Sequence, residues 1–295
     1  MGLLDKMLGK ITEKALGRPE SGAEAFDAAK TIERAESMSD ALSEAIERAY
    51  PDRADAEAER RGTEEALMAP FVEGSGEKLS RGVTKSAAMR LEGRDNPVVY
   101  KPRAAETQLR KGVPVGTMAL RDWLSYQIDR AAALDTVPAT VLRDGPQGFG
   151  SVRDWKAGDV PIASFELMIA WEQKAEAGSV QRLAALDRLS CNTDRNPGNV
   201  LLDAESKAHG IDNSLIFSRS LFERVMSAGM GLPALKMRGK ELLPDVRADL
   251  QRLRNAPDVL AALRPCFDLA LGQDADWAWE KFNEELEQLS KKGKF

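Results

Sequence analysis

The sequence predicts an α+β fold in which a small β-rich lobe is followed by a helical lobe, with a helical N-terminal extension. Residues 67–160 contain short apolar segments separated by Gly, Ser and Asn, which is typical of strands and tight turns. Residues 161–295 mostly place apolar side chains at helical spacing. Residues 1–66 are rich in Ala, Glu and Arg, which favours helix. We therefore expect three regions with these bounds.

Composition restricts the classes of function. Of the 295 residues 43% are hydrophobic, enough for a core, and the net charge is −5 without a basic block, so we expect no nucleic-acid partner. Cys191 and Cys266 match no metal spacing, and His209 is the single histidine. No apolar run reaches the roughly 18 residues of a membrane span, and no signal peptide is evident. These features predict a cytoplasmic protein with reduced thiols.

The N-terminal region predicts helices. Residues 3–16 form an amphipathic pattern that either packs on the protein itself or docks a partner or a membrane surface. Residues 23–66 continue as helix interrupted at Pro51. Their apolar positions are sparse, so we expect only partial packing, and the extension could dock a partner.

The β-rich lobe predicts a hairpin over 79–102, with strands Ala87–Leu91 and Val98–Lys101 around the turn Gly93–Asn96. A helix, a strand, a loop and a further segment follow at 117–134, Val137–Leu142, Gly145–Gly150 and Ser151–Trp155. Later helices are predicted at 162–177, 179–190, 221–229, 243–255, 257–271 and 275–291. Two β-rich pieces interrupt these helices, Val200–Leu202 and Ile211–Phe217.

Three polar residues near this interruption have a spacing with chemical meaning. Asn199 lies five residues after Asp194, and Asp212 lies eighteen residues after Asp194. Protein kinases place an Asn five residues after the catalytic Asp and use a downstream Asp for Mg²⁺. Asp194 could otherwise only cap a turn, as Asp residues often do. Together with the order of the elements, the spacing favours a bilobal protein-kinase-like fold and a site for ATP and Mg²⁺.

Lys101 ends the apolar strand Val98–Tyr100. A buried ammonium needs an anion, and ATP phosphates would supply one, whereas the alternative is a lysine that points to water. Asp187 could bond the loop that contains Asp194 or pair with Arg188 at the surface.

A phosphate-binding loop is less distinct. Gly74–Gly76 and Arg81–Ser86 are both candidates, and neither matches the P-loop motif of NTPases.

Several motifs resemble a known family. NTDRNPGNVLL (192–202) followed by GIDNSLIF (210–217) is similar to the N-x-D-R-H-x-x-N and ID-x-G motifs of bacterial phosphatidylinositol 3- and 4-kinase-like proteins, which are related to HipA-type kinases. VVYKPRAAE (98–106) and TVPATVLRDGPQGFGSVRDW (136–155) resemble the family's upstream segments. The resemblance covers roughly residues 79–220.

For the β-rich lobe, the resemblance implies a nucleotide site. Lys101 would contact the α- and β-phosphates, and either Glu106 or Asp122 would pair with Lys101. Gly82 and Lys85 would lie in the loop over the phosphates.

For the rest of the site, the resemblance implies that backbone at Ser151 and Val152 meets adenine. Asp194 would be the catalytic base, and Asn199 and Asp212 would bind Mg²⁺. The pattern departs from the family at Asn196, where the family has His, and at Asn213–Ser214, where it has a pair such as His-Gly.

These observations predict an ATP- and Mg²⁺-dependent phosphotransferase that acts on Ser/Thr hydroxyls of a protein substrate, its own chain included. Three alternatives stay open at this point: a pseudokinase or nucleotide-binding scaffold of a larger assembly, favoured by the departures at Asn196 and Asn213–Ser214; a lipid kinase; and a non-enzymatic protein that shares only the fold.

Overall fold

The computed structural model describes residues 26–79, 86–109, 111–158, 175–219 and 239–295. Within these ranges the predicted α+β class is confirmed, with a small antiparallel sheet, a set of helices after it and N-terminal helices before it. The helices predicted at 3–16 and 221–229, and most of that at 162–177, lie outside the described residues.

One antiparallel sheet of five strands in the order β1-β2-β3-β5-β4 forms the small lobe. Its strands are β1 (Glu77–Lys78), β2 (Ala87–Met89), β3 (Val98–Pro102), β4 (Thr140–Gly145) and β5 (Gly148–Asp154). The predicted hairpin is confirmed, because Ala87 pairs with Tyr100 and Met89 pairs with Val98. Gly93 lies in the connection at φ +72°, a conformation that glycine adopts without steric cost.

The segment predicted as a loop over Gly145–Gly150 belongs instead to the β4–β5 hairpin. Gly145 faces Gly148 across a two-residue turn, so most of the segment is strand. Its glycines permit close approach as well as turning: a Cβ at Gly145 would lie 2.7 Å from the Tyr100 ring, and one at Gly150 would lie 2.3 Å from the carbonyl oxygen of Lys101.

Helices make up most of the rest. The described ones are α1 (Ala28–Ala49), α2 (Ala54–Leu67), α3 (Met118–Ala131), α4 (Ala177–Leu189), α5 (Pro244–Arg254), α6 (Pro257–Leu271) and α7 (Ala275–Lys292). The last five agree with predicted helices to within three residues at either end. None of the helices in the described ranges is long and apolar enough to cross a membrane.

The expectation that the N-terminal helices pack only partially is wrong for α1. Leu42, Ile46 and Tyr50 are at most 2% exposed and belong to the main core, where α1 lies against α6 and β4. The apolar residues of α1 are few, but helical spacing places them on one face, which α6 and β4 cover.

A buried ionic network also fixes the N-terminal helices. The Arg130 guanidinium, on α3, donates to the hydroxyls of Ser39 and Ser43 on α1 and to the carboxylates of Glu57 and Glu64 on α2. Burial acts to raise the pKa of Glu57, but the charge and hydrogen bonds of Arg130 outweigh it and lower that pKa. Polar contacts therefore hold α2, where apolar residues are scarce.

A two-stranded hairpin, β6 (Val200–Leu202) and β7 (Ala208–Gly210), lies between the candidate site residues. The predicted strand over Ile211–Phe217 is wrong, because the segment is irregular after β7. Asp212 and Phe217 both adopt positive φ angles, at 58° and 48°, which a continuous strand does not contain.

Candidate active site

Lys101, near the end of β3, is buried between two carboxylates. Its Nζ lies 2.8 Å from Oδ1 of Asp212 and 3.2 Å from Oδ2 of Asp122, and its side chain is 10% exposed. Ser151 lies opposite Lys101 in the sheet, and its hydroxyl is 3.5 Å from Oδ2 of Asp122. The lysine therefore points into the protein and not to water.

Asp122 on α3, and not Glu106, is the acid that pairs with Lys101 together with Asp212. The Glu106 carboxylate instead accepts hydrogen bonds from the backbone amides at the start of α3, those of Gly116, Met118 and Ala119, at 2.6, 3.1 and 3.0 Å. The first amides of a helix lack intrahelical partners and attract negative charge. Of the two alternatives for the Lys101 partner, Glu106 is therefore wrong: Glu106 caps the helix that carries Asp122.

The residues that depart from the family pattern after Asp212 form part of the site. The backbone N–H of Asn213 donates to Oδ1 of Asp122 at 3.0 Å, and the hydroxyl of Ser214 donates to Oδ1 of Asp212 at 3.0 Å. Asp212 itself has φ +58°, a strained conformation for a residue other than glycine, and these bonds hold it there.

The loop from Asp194 to Asn199 is closed by the side chain of Asn199. Its Nδ2 donates to the backbone oxygen of Asp194 at 2.7 Å and to Oδ2 of Asp194 at 3.0 Å. Its amide oxygen takes no hydrogen bond from the described residues. The N–H of Ile211 donates to the carbonyl of Asn199 at 3.0 Å, so the loop lies beside Asp212. The three residues with kinase-like spacing are thus brought together.

Arg195 organises this loop, and the sequence analysis missed it. The residue is 3% exposed, and its guanidinium donates to the carbonyl oxygens of Asn199 at 2.6 Å and Ile211 at 3.1 Å, and to Oδ1 of Asn213 at 2.5 Å. One side chain therefore joins the loop that contains Asp194 to the segment that contains Asp212. Its position directly after Asp194 is the signal that could have suggested this role.

Asp187 on α4 anchors Arg195. Its carboxylate accepts from Nε and Nη2 of Arg195 at 3.0 and 2.9 Å and from the Asn192 amide at 3.0 Å. The surface alternative for Asp187 is wrong, because Arg188 pairs with Glu285. The loop alternative agrees with the contacts.

Asp212 lies in a strongly cationic environment. Burial acts to raise the pKa of Asp212, but the charge and hydrogen bond of Lys101, the charge of Arg153 and the hydrogen bond from Ser214 lower it to about 2. The Asp212 side chain is nevertheless 32% exposed, so a ligand could reach the carboxylate. Asp212 is therefore an ionised oxygen donor at neutral pH.

The adenine contact expected from backbone at Ser151 and Val152 is not available there. Both residues lie in β5, which is hydrogen-bonded to β3 on one side and to β4 on the other. Their peptide groups are directed at neighbouring strands.

The two glycine-rich candidates for the phosphate-binding loop add little to the description of the site. Gly82 and Lys85 lie outside the described residues. In the other segment, Gly74–Gly76, the Ser75 hydroxyl donates to the carbonyl of Val72 and accepts from the N–H of Arg90, so this turn is tied to the end of β2.

Oxygen donors for a metal are few but of a suitable kind. No group of three or more His, Cys, Asp or Glu side chains with metal-binding geometry occurs in the part of the chain that the structure describes. The Asp212 carboxylate and the Asn199 amide oxygen are hard donors of the type that Mg²⁺ accepts, with water and phosphate completing its shell. The donor set therefore fits Mg²⁺ and not a structural zinc ion.

Comparisons with known proteins give limited similarity. No family model matches the chain. Protein Rv2133c of Mycobacterium tuberculosis is 26% identical over 150 residues, which covers 40% of this chain and 52% of that protein. The chain thus spans about half the length of the curated relative that it matches.

Among solved structures, the proinflammatory kinase CtkA of Helicobacter pylori is similar with a TM-score of 0.44 and 11% identity, over 77% of this chain and 96% of that one. Membership of the phosphatidylinositol 3- and 4-kinase-like family stays a prediction.

Proposed function

We propose that this chain is a kinase that uses ATP and Mg²⁺ to phosphorylate a Ser or Thr hydroxyl of a protein. The observation that carries the proposal is the arrangement of Lys101, Asp122 and Asp212, with Asp212 linked through the Ile211–Asn199 hydrogen bond to Asn199 and Asp194. This arrangement supplies a cation for phosphates, oxygen donors for a metal and a carboxylate for an acceptor hydroxyl.

Lys101 would hold the α- and β-phosphates of the nucleotide. Asp122, on a buried helix, would keep the ammonium in place when Asp212 binds a metal ion. Gly82 and Lys85 are proposed to cover the phosphates. The backbone directly after β5, residues 155–158, is proposed to meet adenine, because it is the first segment beyond β5 outside the strand ladder.

Asn199 and Asp212 would hold Mg²⁺, which when bound neutralises charge on the phosphates. Asp194 is proposed to orient the acceptor hydroxyl and to accept its proton, as the acceptor oxygen bonds to the γ-phosphorus and the bond to ADP breaks. Asn199 donates to Oδ2 of Asp194 and so fixes the orientation of the carboxylate that would meet the acceptor.

The test is transfer of γ-labelled phosphate from ATP in the presence of Mg²⁺, to the chain itself and to a generic protein acceptor. Native protein is compared with Asp194→Ala, Asp212→Ala and, as a control, Glu280→Ala, an exposed residue of α7. We expect labelling by the native chain and the control, and its loss in both site variants. Labelling that persists in Asp194→Ala and Asp212→Ala would contradict the site assignment.

A nucleotide-binding scaffold is the second candidate. It is favoured by Oδ1 of Asp212, which is already engaged by Lys101 and Ser214, so a metal would have to displace or share these contacts. No labelling, with a rise in melting temperature when ATP and Mg²⁺ are added, would support the scaffold. If there is no labelling and no rise in melting temperature, both candidates are excluded.

A further inference from the structure

Arg153 lies on β5 and faces the candidate site. Residues two apart in a strand share a face, so Arg153 is on the face of Ser151, which lies opposite Lys101 in the sheet. The Ser151 hydroxyl reaches Asp122 of α3, which shows that this face covers the site. Arg153 and Lys101 therefore extend from the same side of the small lobe.

The guanidinium of Arg153 is buried with one nitrogen unsatisfied by hydrogen bonds. The residue is 6% exposed, and its Nη1 is buried and donates no hydrogen bond to any residue that the structure describes. No ion pair found among the described residues includes Arg153. A buried charge without a partner is strongly unfavourable, so a site that keeps one is prepared for an anion that arrives from outside.

The other buried arginines differ in this respect. Arg121 donates to the carbonyls of Ile216 and Phe217, Arg130 pairs with Glu57, and Arg195 pairs with Asp187. Burial of arginine in this fold is thus otherwise matched by acceptors. Arg130 also keeps one nitrogen, Nε, without a hydrogen bond. Among the buried arginines of the described residues, Arg153 is nevertheless the one whose side chain has neither a hydrogen bond nor an ion pair with these residues, and it faces the site.

Arg153 is also close to Asp212 without touching it. The charge of Arg153 acts on the Asp212 carboxylate, although the two groups share no contact of ion-pair length. Lys101 contacts the same carboxylate directly. Two cations therefore face the place where the proposed metal and phosphates would lie, and a ligand with several negative charges satisfies both.

We propose that Arg153 binds the phosphates of the nucleotide together with Lys101, and that it stays without a partner until a nucleoside triphosphate enters. This inference rests on the proposed function. The planar guanidinium can donate two parallel hydrogen bonds to a phosphate, which an ammonium cannot do. The charge of Arg153 would thereby add to the charges of Lys101 and Mg²⁺ in holding the triphosphate.

The experiment measures binding of ATP, ADP and adenosine, with Mg²⁺, by calorimetry. The variants are Arg153→Met and Arg153→Lys, and the matched control is Arg143→Met on β4, whose guanidinium bonds the carbonyls of Leu67 and Ala69. We expect Arg153→Met to weaken ATP binding about 10- to 100-fold, the range for a charge-assisted contact, and to leave adenosine binding within twofold. The ATP affinity of Arg153→Lys is expected to lie between those of the native chain and Arg153→Met. Arg143→Met is expected to bind ATP like the native chain.

A second readout does not depend on nucleotide. Because Arg153→Met removes an unpaired buried charge, it is expected to raise the melting temperature of the nucleotide-free protein, whereas Arg143→Met is expected to lower it. A lower melting temperature of Arg153→Met would show that Arg153 has a structural partner, and would overturn the inference. Arg153→Lys retains the charge and serves where the methionine variant does not fold.

The remaining outcomes separate the two proposals. If native protein binds ATP and Arg153→Met binds it equally well, the role of Arg153 is wrong and the proposed function stands. If adenosine and ATP weaken by the same factor, Arg153 contacts the base or supports packing, and the phosphate assignment is overturned. If the native chain binds neither ATP nor ADP, the proposed function fails and the inference fails with it.

Discussion

Asp122 accepts a hydrogen bond from the backbone N–H of Asn213 at 3.0 Å, while its other carboxylate oxygen lies 3.2 Å from the ammonium of Lys101. One buried carboxylate thus joins helix α3, strand β3 and the segment that follows Asp212. Any movement of α3 would change the position of Lys101 and of Asp212 together. The position of this helix is therefore expected to control the geometry of the site.

Replacement of the two acids that were candidates for Lys101 separates their roles. We expect Asp122→Asn to reduce phosphate transfer about 10- to 100-fold, because Lys101 loses a charged partner that holds it in position. Glu106→Gln is expected to lower the free energy of unfolding by about 0.5–2 kcal/mol, the range for a lost helix cap, with nucleotide affinity within twofold. Steady-state kinetics and urea unfolding measure the two effects. A larger kinetic effect in Glu106→Gln than in Asp122→Asn would contradict the assignment.

Arg195 is expected to be a major contributor to stability. Arg195→Met leaves the Asp187 carboxylate buried without its partner, and breaking a buried ion pair costs about 3–5 kcal/mol. The double variant Asp187→Asn/Arg195→Met should lose more free energy of unfolding than Asp187→Asn alone only if the pair also stabilises the protein through other contacts. Urea unfolding of the single and double variants gives the coupling energy. A cost below about 1 kcal/mol in Arg195→Met would show that other contacts hold the loop.

The pKa of Asp212 sets a pH dependence with a definite sign. Its folded value of about 2 is below the unfolded value of about 3.9, so its contribution to stability is present above pH 4 and is lost as the pH falls through 2. We expect the difference in melting temperature between native protein and Asp212→Asn to be constant from pH 5 to 8 and to shrink between about pH 4 and 2. If this difference in melting temperature changes between pH 5 and 8, the titrating group is not Asp212 at the expected pKa.

The packing of α1 predicts that it stabilises the whole protein. Leu42→Ala is expected to lower the free energy of unfolding by about 2–5 kcal/mol, because Leu42 is fully buried in the main core. Glu33→Ala on the exposed face of α1 is the control and should change it by less than about 0.5 kcal/mol. Urea unfolding followed by circular dichroism measures both. Two separate transitions in the native protein would contradict a shared core.

The sequence predicted elements whose signals are local. The β2–β3 hairpin has apolar strands around a turn that contains Gly93, and the later helices have a clear period with Pro257 at the start of one of them. The grouping of Asp194, Asn199 and Asp212 was also predictable, because all three lie within nineteen residues of chain. Signals of this kind depend on residues that are close in sequence, so they can be interpreted without knowledge of the rest of the fold.

The features that were not predicted depend on contacts between distant segments. Whether Glu106 or Asp122 meets Lys101 is decided by where α3 begins, since its first amides capture Glu106. The role of Arg195 depends on a carboxylate of α4 and on carbonyls beyond β6. The glycines of 145–150 read as loop in sequence, but the fold uses them where Tyr100 and Lys101 approach the hairpin closely.

The position of α1 against α6 has a consequence for synthesis of the chain. The ribosome makes α1 well before α6, the helix against which α1 packs most extensively. A nascent chain therefore carries a partly uncovered apolar helix face until α6 is made, a condition that favours association with chaperones or with other chains. A transcript cut short before α6 would yield a product with this face permanently open, and such a product is expected to be cleared by proteolysis and not to accumulate as a folded fragment.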